Sequence, residues 1–400
     1  MSKPEDVRVR LAGLLDDSLE EFLSAQDLRP MFDQAPARRS ALYNMVEQFK
    51  QSMWLAELAP TSSRIVPAVN VAPRVRVSGP KPTALPEVAI VVPLGNPSIE
   101  LKSRCLRALS RNFSPERCLV VLYTSESAEP LEHLLSGFRI VSLVSRDIFS
   151  LPVAYNNSIA FLRQELGSRF DDVVLTFMDD DAEILGDQSE IIARQLQRIK
   201  SNASVLTSGH YYDLTPANDA FSSAVNASAT PDFVARVGKP YCHGGAALMM
   251  RGSLFPNGGL PNTGLGGISL GVLLMDSLDD DWVARVAAGD WYLFNEARLF
   301  VQHPRKPNLL QWSVTYLGYT KAWGVVLGQI SDASRQQWQS RLRDGKARRR
   351  ETLARDAMSG HGAAPLGNLL LTDFFKPKLF DAMSYDAFRS MGLQVHANLQ

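Results

Sequence analysis

Three consecutive aspartates, Asp179, Asp180 and Asp181, close an apolar segment at 172–178 and are the residues whose type and spacing most directly imply chemistry. Adjacent carboxylates repel one another unless a cation or hydrogen-bond donors lie among them. Hard divalent ions such as Mg²⁺ or Mn²⁺ meet that demand. They take oxygen ligands, use one or two protein carboxylates, and complete their shell with phosphate and water. A diphosphate leaving group is the matching partner, because the ion neutralises charge that develops on it. A solvated acidic turn after a strand is the bland alternative.

Other residues could join such a site. A second acidic run, Asp279, Asp280 and Asp281, opens a segment of helical periodicity at 277–288. Acidic residues there also suit any helix start, since they complement the dipole. Gly244 and Gly245 interrupt a strand-like stretch at 241–250; glycines permit close backbone approach or mark a bulge. Asn156, in Tyr155-Asn156-Asn157-Ser158, could donate to a ligand or cap a helix. His303 stands between a strand-like stretch at 291–301 and Pro304, as a ligand or as a surface histidine in a turn.

The elements that must position these residues follow from periodicity. Residues 88–92 form a continuous apolar, β-branched run ending at Pro93, as in a strand buried on both faces of a parallel sheet. Helix 99–109, strand 118–123, short helix 131–135, strand 139–143, helix 152–166 and strand 172–178 follow in alternation. Such alternation predicts a doubly wound α/β sheet with right-handed crossovers, and ligands bind beyond the carboxyl ends of its strands. The aspartates stand at such an end. Helix 189–200 and a strand at 205–212 come next, then a polar stretch, 215–239, that suits a loop over a site.

Together these motifs resemble the nucleotide-sugar glycosyltransferases of GT-A fold, especially the inverting family 2 enzymes. Val174-Leu175-Thr176-Phe177-Met178 with Asp179, Asp180 and Asp181 is similar to their strand plus DxD motif. The resemblance implies a Rossmann-like, mostly parallel sheet. It assigns Asp179 to the nucleoside side, with Asp181 as metal ligand and Asp180 between them, and lets Asp179 share the ion. It also implies that Pro93 ends the strand that cradles the base, that Asn156 lies near the nucleotide, and that Gly244 and Gly245 pass under the donor sugar. Asp280 or Asp281 would be the general base that takes the acceptor hydroxyl proton, and His303 an added metal ligand. The implied cofactor is Mn²⁺ or Mg²⁺ and the implied donor a nucleotide-diphosphate sugar, with UDP-sugar favoured. The acceptor is a glycan, a lipid-linked species or a small molecule. The resemblance spans residues 87–307. A retaining enzyme, a nucleotidyltransferase and a decayed nucleotide-sugar-binding module remain alternatives. For the nucleotidyltransferase, Leu94-Gly95-Asn96-Pro97 is short and lacks the basic residues of a signature loop.

The surrounding regions divide as a helical extension (1–60), a proline-rich linker (61–86) with an edge strand at 74–77, the catalytic domain (87–308) and a helical C-terminal region (309–400). In the first, Leu11, Leu15, Leu19 and Phe22 recur at helical spacing, as do Leu42, Met45, Val46 and Phe49. Balanced charge, 42 Lys plus Arg against 42 Asp plus Glu, removes any global field toward nucleic acid or anionic membrane. The basic run at 341–350 offers peripheral contact with anionic lipid, or a solvated helix face. Only three cysteines occur, Cys105, Cys118 and Cys242, none in CxxC spacing, so reduced, mostly buried thiols are expected. The first residues lack an apolar signal segment and no run has the length of a spanning helix, so the expected location is the cytoplasm. Oligomeric state is left open.

Overall fold

The computed structural model describes residues 4–55, 58–60, 72–80, 84–202, 205–212, 247–255, 259, 292–302, 336, 370–375, 378 and 391–393, with short gaps at 26–27, 34–35, 126 and 146–150. Two compact units divide the chain. One comprises residues 1–64, 213–238 and 305–400, and the other residues 65–212 and 239–304.

In the first unit, helices α1 (Pro4–Ser24), α2 (Arg29–Asp33) and α3 (Pro36–Leu55) bury the stripes that periodicity selects. Leu11, Leu15, Leu19 and Phe22 of α1 are buried, as are Leu42, Met45, Val46 and Phe49 of α3. A distant piece of chain completes this core: the π-helical turn Leu370–Phe375 places Phe374 edge-on to Phe22 at 5.0 Å and Phe375 edge-on to Phe49 at 6.2 Å. Strand β1 (Leu58–Pro60) pairs antiparallel with a late strand at Met391–Leu393. The largely helical C-terminal region expected from sequence thus contains, among the described residues, a strand and a π-helical turn.

The second unit is built on a nine-stranded mixed sheet. Its elements run β2 (Arg74–Ser78), β3 (Val88–Leu94), α4 (Ile99–Asn112), β4 (Cys118–Thr124), α5 (Glu129–Glu132), β5 (Arg139–Val144), α6 (Leu151–Leu166), β6 (Val174–Phe177), β7 (Glu183–Ile184), α7 (Ser189–Ser201), β8 (Val205–Tyr212), β9 (Leu248–Arg251) and β10 (Tyr292–Gln302), with β11 the Met391–Leu393 strand of the first unit. The order across the sheet is β2-β5-β4-β3-β6-β9-β8-β10-β7. Six of the nine strands run in one direction; only β2, β9 and β7 oppose them. This is the mostly parallel α/β architecture that the alternation of elements predicts.

The all-apolar strand β3 lies at its centre, every residue buried, with parallel neighbours β4 and β6 on either side. Val88, Ile90, Val92 and Leu94 join one core with Cys105, Leu106 and Leu109 of α4 and Ile192 and Ile199 of α7. Val91 pairs in register with Phe177 on the other face, and Phe177 meets Tyr155 of α6 edge-on at 5.4 Å. Helices therefore cover both faces, so the sheet is doubly wound. Pro93 fits inside this central strand because the β6 ladder ends before it: the last rung is Met178 N–H to the Val91 carbonyl, 3.0 Å.

The order of connection matters for function. The chain steps from β3 outward through β4 to β5, then returns to place β6 on the opposite flank of β3. The crevice between β3 and β6 is thus the topological switch point, where open α/β sheets leave room for ligands.

Some elements differ from the periodicity. The strand expected from 172 starts at Val174, because Gly167–Asp172 winds into a 3₁₀ turn closed by Val173 N–H to the Phe170 carbonyl. The strand expected over 241–250 is found at Leu248–Arg251, while 241–246 lie outside the described residues. The two-residue β7 is too short to leave a periodic signal. The loop at 215–239, the helix at 277–288 and the basic run at 341–350 also lie outside the described residues.

Glu87 ties the entrance of β3 to its surroundings, accepting from Arg117 and Lys200, whose charges hold its carboxyl down at about 2. At the sheet's edge, β2 exposes Val75 and Val77 in alternation with Arg74 and Arg76, and Arg76 is paired with Glu129 at 3.0 Å. Both Cys105 and Cys118 are buried free thiols.

Gly252, directly after β9, admits no side chain: a Cβ there would lie 2.0 Å from the Phe170 carbonyl oxygen. Gly252→Ala is therefore expected to cost about 1–3 kcal/mol through forced backbone displacement. Urea unfolding measures this, and a variant as stable as the parent would contradict the packing of this turn.

Candidate functional site at the carboxyl end of the central strands

The acidic triplet leaves β6 at the switch point, next to the loop that leaves β3. Strand alternation sends successive residues to opposite sides. Phe177 lies toward α6, and Met178 belongs to the core beneath α4. Met178 Sδ accepts the Ala247 N–H at 3.1 Å, and Ala247 adopts a left-handed φ of 55°. A turn then follows, in which Ala182 N–H reaches the Asp179 carbonyl at 3.0 Å.

Asp180 is the buried member of the triplet, 8% exposed, while Asp179 and Asp181 are half-buried. Its Oδ2 accepts the Asn96 backbone N–H at 2.7 Å. The same residue's side-chain amide lies 3.4 Å from Asp181 Oδ2. Asn96 Oδ1 in turn accepts Ser98 N–H at 2.8 Å, and Ser98 Oγ caps α4 by accepting Leu101 N–H at 3.3 Å. One asparagine thus joins the end of β3, the start of α4 and two of the three aspartates. Burial pushes the Asp180 carboxyl up to about 7, with Asp181 and Asp179 adding to the rise and the Asn96 N–H opposing it.

Two groups lie beneath the triplet. Cys105 of α4 points its Sγ at the Asp179 carbonyl, 3.5 Å, and burial together with the neighbouring carboxylates keeps the thiol protonated. Tyr155 of α6 is fully buried. Burial first, then Asp179 and Asp180, hold its hydroxyl well above the ordinary tyrosine range. The hydroxyl lies close enough to the Asp179 carboxylate to feel it as a hydrogen-bond acceptor, although no group among the described residues meets it in full hydrogen-bond geometry.

Nearby, Arg104 of α4 pairs with Glu183 at 2.7 Å and donates to Gln302 Oε1 at 3.0 Å. It thereby fixes the end of β10, immediately before His303, against the segment that follows the triplet. Asn112 plays the same part at the other end of α4. It donates to the Gly186 carbonyl and accepts Gln188 N–H at 2.6 Å.

Among the residues expected at a site, Asp179, Asp180 and Asp181 gather at the crevice. Pro93 is buried within β3 one residue before its end. Asn156 is half-buried on α6, against Gly259: a Cβ on Gly259, at φ +78°, would come within 2.9 Å of Asn156 Oδ1. Asn157 beside it donates to the Tyr123 hydroxyl at 3.3 Å. Asp280, Asp281, Gly244, Gly245 and His303 lie outside the described residues. Among the described residues no group of three or more His, Cys, Asp or Glu side chains forms a metal cluster.

Asn96, Tyr155 and Arg104 are contributors that sequence reasoning passed over. Asn96-Pro97-Ser98 after a strand carries an ordinary turn signal, and Tyr155 directly precedes the asparagines that drew notice.

No protein-family model matches the sequence, and no curated protein matches it significantly. Among solved structures the chain is similar to a mannosyltransferase from Pyrobaculum calidifontis in complex with GDP-Man and Mn²⁺, at 14% identity over 88% of this chain and 85% of that one, TM-score 0.38. It is also similar to residues 1–349 of TarS from S. aureus, at 11% identity over 63% and 69%, TM-score 0.40. A third is glucosyl-3-phosphoglycerate synthase from Mycobacterium tuberculosis with phosphoglyceric acid, at 15% identity over 62% and 82%, TM-score 0.37.

The raised carboxyl of Asp180 links stability to pH. Its folded value of about 7 exceeds the ordinary 3.8, so the group costs nothing in acid, where both states are protonated. Stability is lost as pH climbs through that window, because only the unfolded chain ionises freely. Asp180→Asn, which retains an acceptor for Asn96, is expected to gain on the parent by roughly 2–4 kcal/mol between about pH 4 and about pH 8. Metal-free unfolding with a chelator at both pH values checks it; a constant difference would contradict the burial of this charge.

Proposed function

We propose that the chain is a divalent-metal-dependent glycosyltransferase of GT-A type, moving a sugar from a nucleotide-diphosphate donor to an acceptor hydroxyl. The observation that carries this reading is the placement of Asp179, Asp180 and Asp181 at the switch-point crevice between the carboxyl ends of β3 and β6. Ligands of doubly wound sheets bind at such a crevice. Three crowded carboxylates at its floor disfavour anything but a cation with anionic oxygen ligands of its own. The sequence resemblance to inverting family 2 enzymes supplies the rest of the assignment.

Asp181 and Asp179, the half-buried members, would hold the ion, with Asp179 also toward the nucleoside. Asp180 acts from below, fastening the β3 loop through Asn96. Pro93 and Asn156 border the nucleotide, and Gly244 and Gly245 the sugar. His303 completes the metal shell. When bound, Mn²⁺ or Mg²⁺ supplies Lewis-acid stabilisation of the departing diphosphate. Asp280 or Asp281 takes the proton of the attacking hydroxyl, which implies inversion at the anomeric carbon. UDP-sugar is the favoured donor, and the acceptor is a glycan, lipid-linked species or small molecule. No described helix is long and apolar enough to cross a membrane.

Thermal unfolding with UDP or GDP, each with and without Mn²⁺, tests the donor class. Binding at about a hundredfold excess over Kd stabilises the folded state by about 2.7 kcal/mol, and this gain should require the metal. Asp181→Ala should lose both the metal-dependent gain and sugar transfer while keeping its ligand-free melting temperature. Transfer at the parental rate by Asp181→Ala would refute the metal assignment.

A further inference from the structure

We infer that Tyr155 is a positioning residue for Asp179, its hydroxyl standing ready to donate to that carboxylate when a metal-bound nucleotide occupies the crevice. The inference rests on the donor-site reading above.

A fully buried hydroxyl with no hydrogen-bond partner is uncommon, since an unmet polar group lowers stability and phenylalanine would fill the same space at no such cost. The ring itself needs no hydroxyl. It packs edge-on against Phe177 at 5.4 Å, and Phe177 stacks on Phe255 at 5.9 Å. This column fixes the ring, so the oxygen cannot swing toward solvent.

The end of β6 determines what the oxygen meets. Phe177 ends β6 on the side of the sheet that α6 covers, and Asp179 follows two residues beyond the strand, near the Tyr155 hydroxyl. The ring therefore lies against Phe177 while the hydroxyl reaches the level of Asp179, whose carboxylate acts on it more strongly than do those of Asp180 and Asp181. Hydrogen bonds at catalytic sites are often long or poorly aligned without ligand and tighten when it binds. A carboxylate that turns toward a cation with one oxygen can accept from a fixed donor with the other, the way outer groups orient metal ligands.

The same stretch of α6 carries Asn156 against Gly259 and Asn157 on the Tyr123 hydroxyl. These contacts hold the helix start that delivers Tyr155. Asp180 and Asp181 have Asn96 as their shared partner. Tyr155 is to Asp179 what Asn96 is to the other two.

The test is Tyr155→Phe in the full chain, read by thermal unfolding and by titration with Mn²⁺ and UDP or GDP. Ligand-free Tyr155→Phe is expected to melt at or above the parental temperature, because the ring column survives and the orphan oxygen is gone. Its metal-dependent nucleotide affinity is expected to fall about five- to tenfold, the share of one hydrogen bond to a charged group. A purely structural tyrosine would show the reverse pattern, lower melting and unchanged affinity, and that result overturns the inference. A parent that responds to Mn²⁺ with nucleotide, alongside a Tyr155→Phe protein that responds equally, overturns the positioning role alone. A parent that gains nothing from any metal–nucleotide pair overturns the donor-site reading and this inference with it.

Discussion

Electrostatic crowding at the end of one buried strand is the constraint around which the second unit is arranged. Three carboxylates in succession are unfavourable on their own, and Asp180 is held where water scarcely reaches it. Asn96 and, more weakly, the Lys102 charge ease the arrangement at Asp180. The Asn96 N–H answers Asp180, and its side chain approaches Asp181. That answer is only partial, since the Asp180 carboxyl still rises to about 7. The raised carboxyl marks negative charge that its surroundings do not fully offset.

The sheet's topology explains why the acidic turn lies at the switch point. Had the chain after β5 continued outward, the acidic turn would have stood at a sheet margin. Because it returns to the far flank of β3, the turn stands beside the loop of β3 at the switch point. Helix α4 then holds the segment that follows the triplet at two points. Arg104 reaches Glu183 and Gln302, and Asn112 holds the stretch around Gly186 and Gln188. Precision at the crevice comes from polar side chains that no periodicity marks, laid over a frame that periodicity marks well.

This distinction separates what could be read in the sequence from what could not. β3, β4, β5 and β6 were legible because strands buried on both faces must be continuous apolar runs, and the triplet was legible because adjacent charges after such a run are rare without purpose. The true start of β6 was not: Asp172 and Val173 extend the strand on paper, but a 3₁₀ turn takes Asp172, and Val173 caps it. Strands β1, β7 and β11 are too short to carry a pattern, and β1 finds its partner more than three hundred residues away in the chain. Tyr155 was passed over for another reason. Its interest lies in an oxygen lacking a partner, a property of packing that composition does not encode. The proposed roles of Asp280, Asp281, Gly244, Gly245 and His303 rest on resemblance alone.

The outer strand β2 has one further implication. An open sheet margin invites a second molecule to add its own strand, and proteins commonly guard such margins with charge and brevity. Here the guard is a five-residue strand with Arg74 and Arg76 on either side of Val75, the second arginine committed to Glu129, and Pro73 and Pro80 closing it at both ends. Colloidal behaviour should therefore depend on these few residues more than on the sheet's large apolar interior. Replacing the arginines with valine would leave the fold intact while turning the margin into a seed for intermolecular growth.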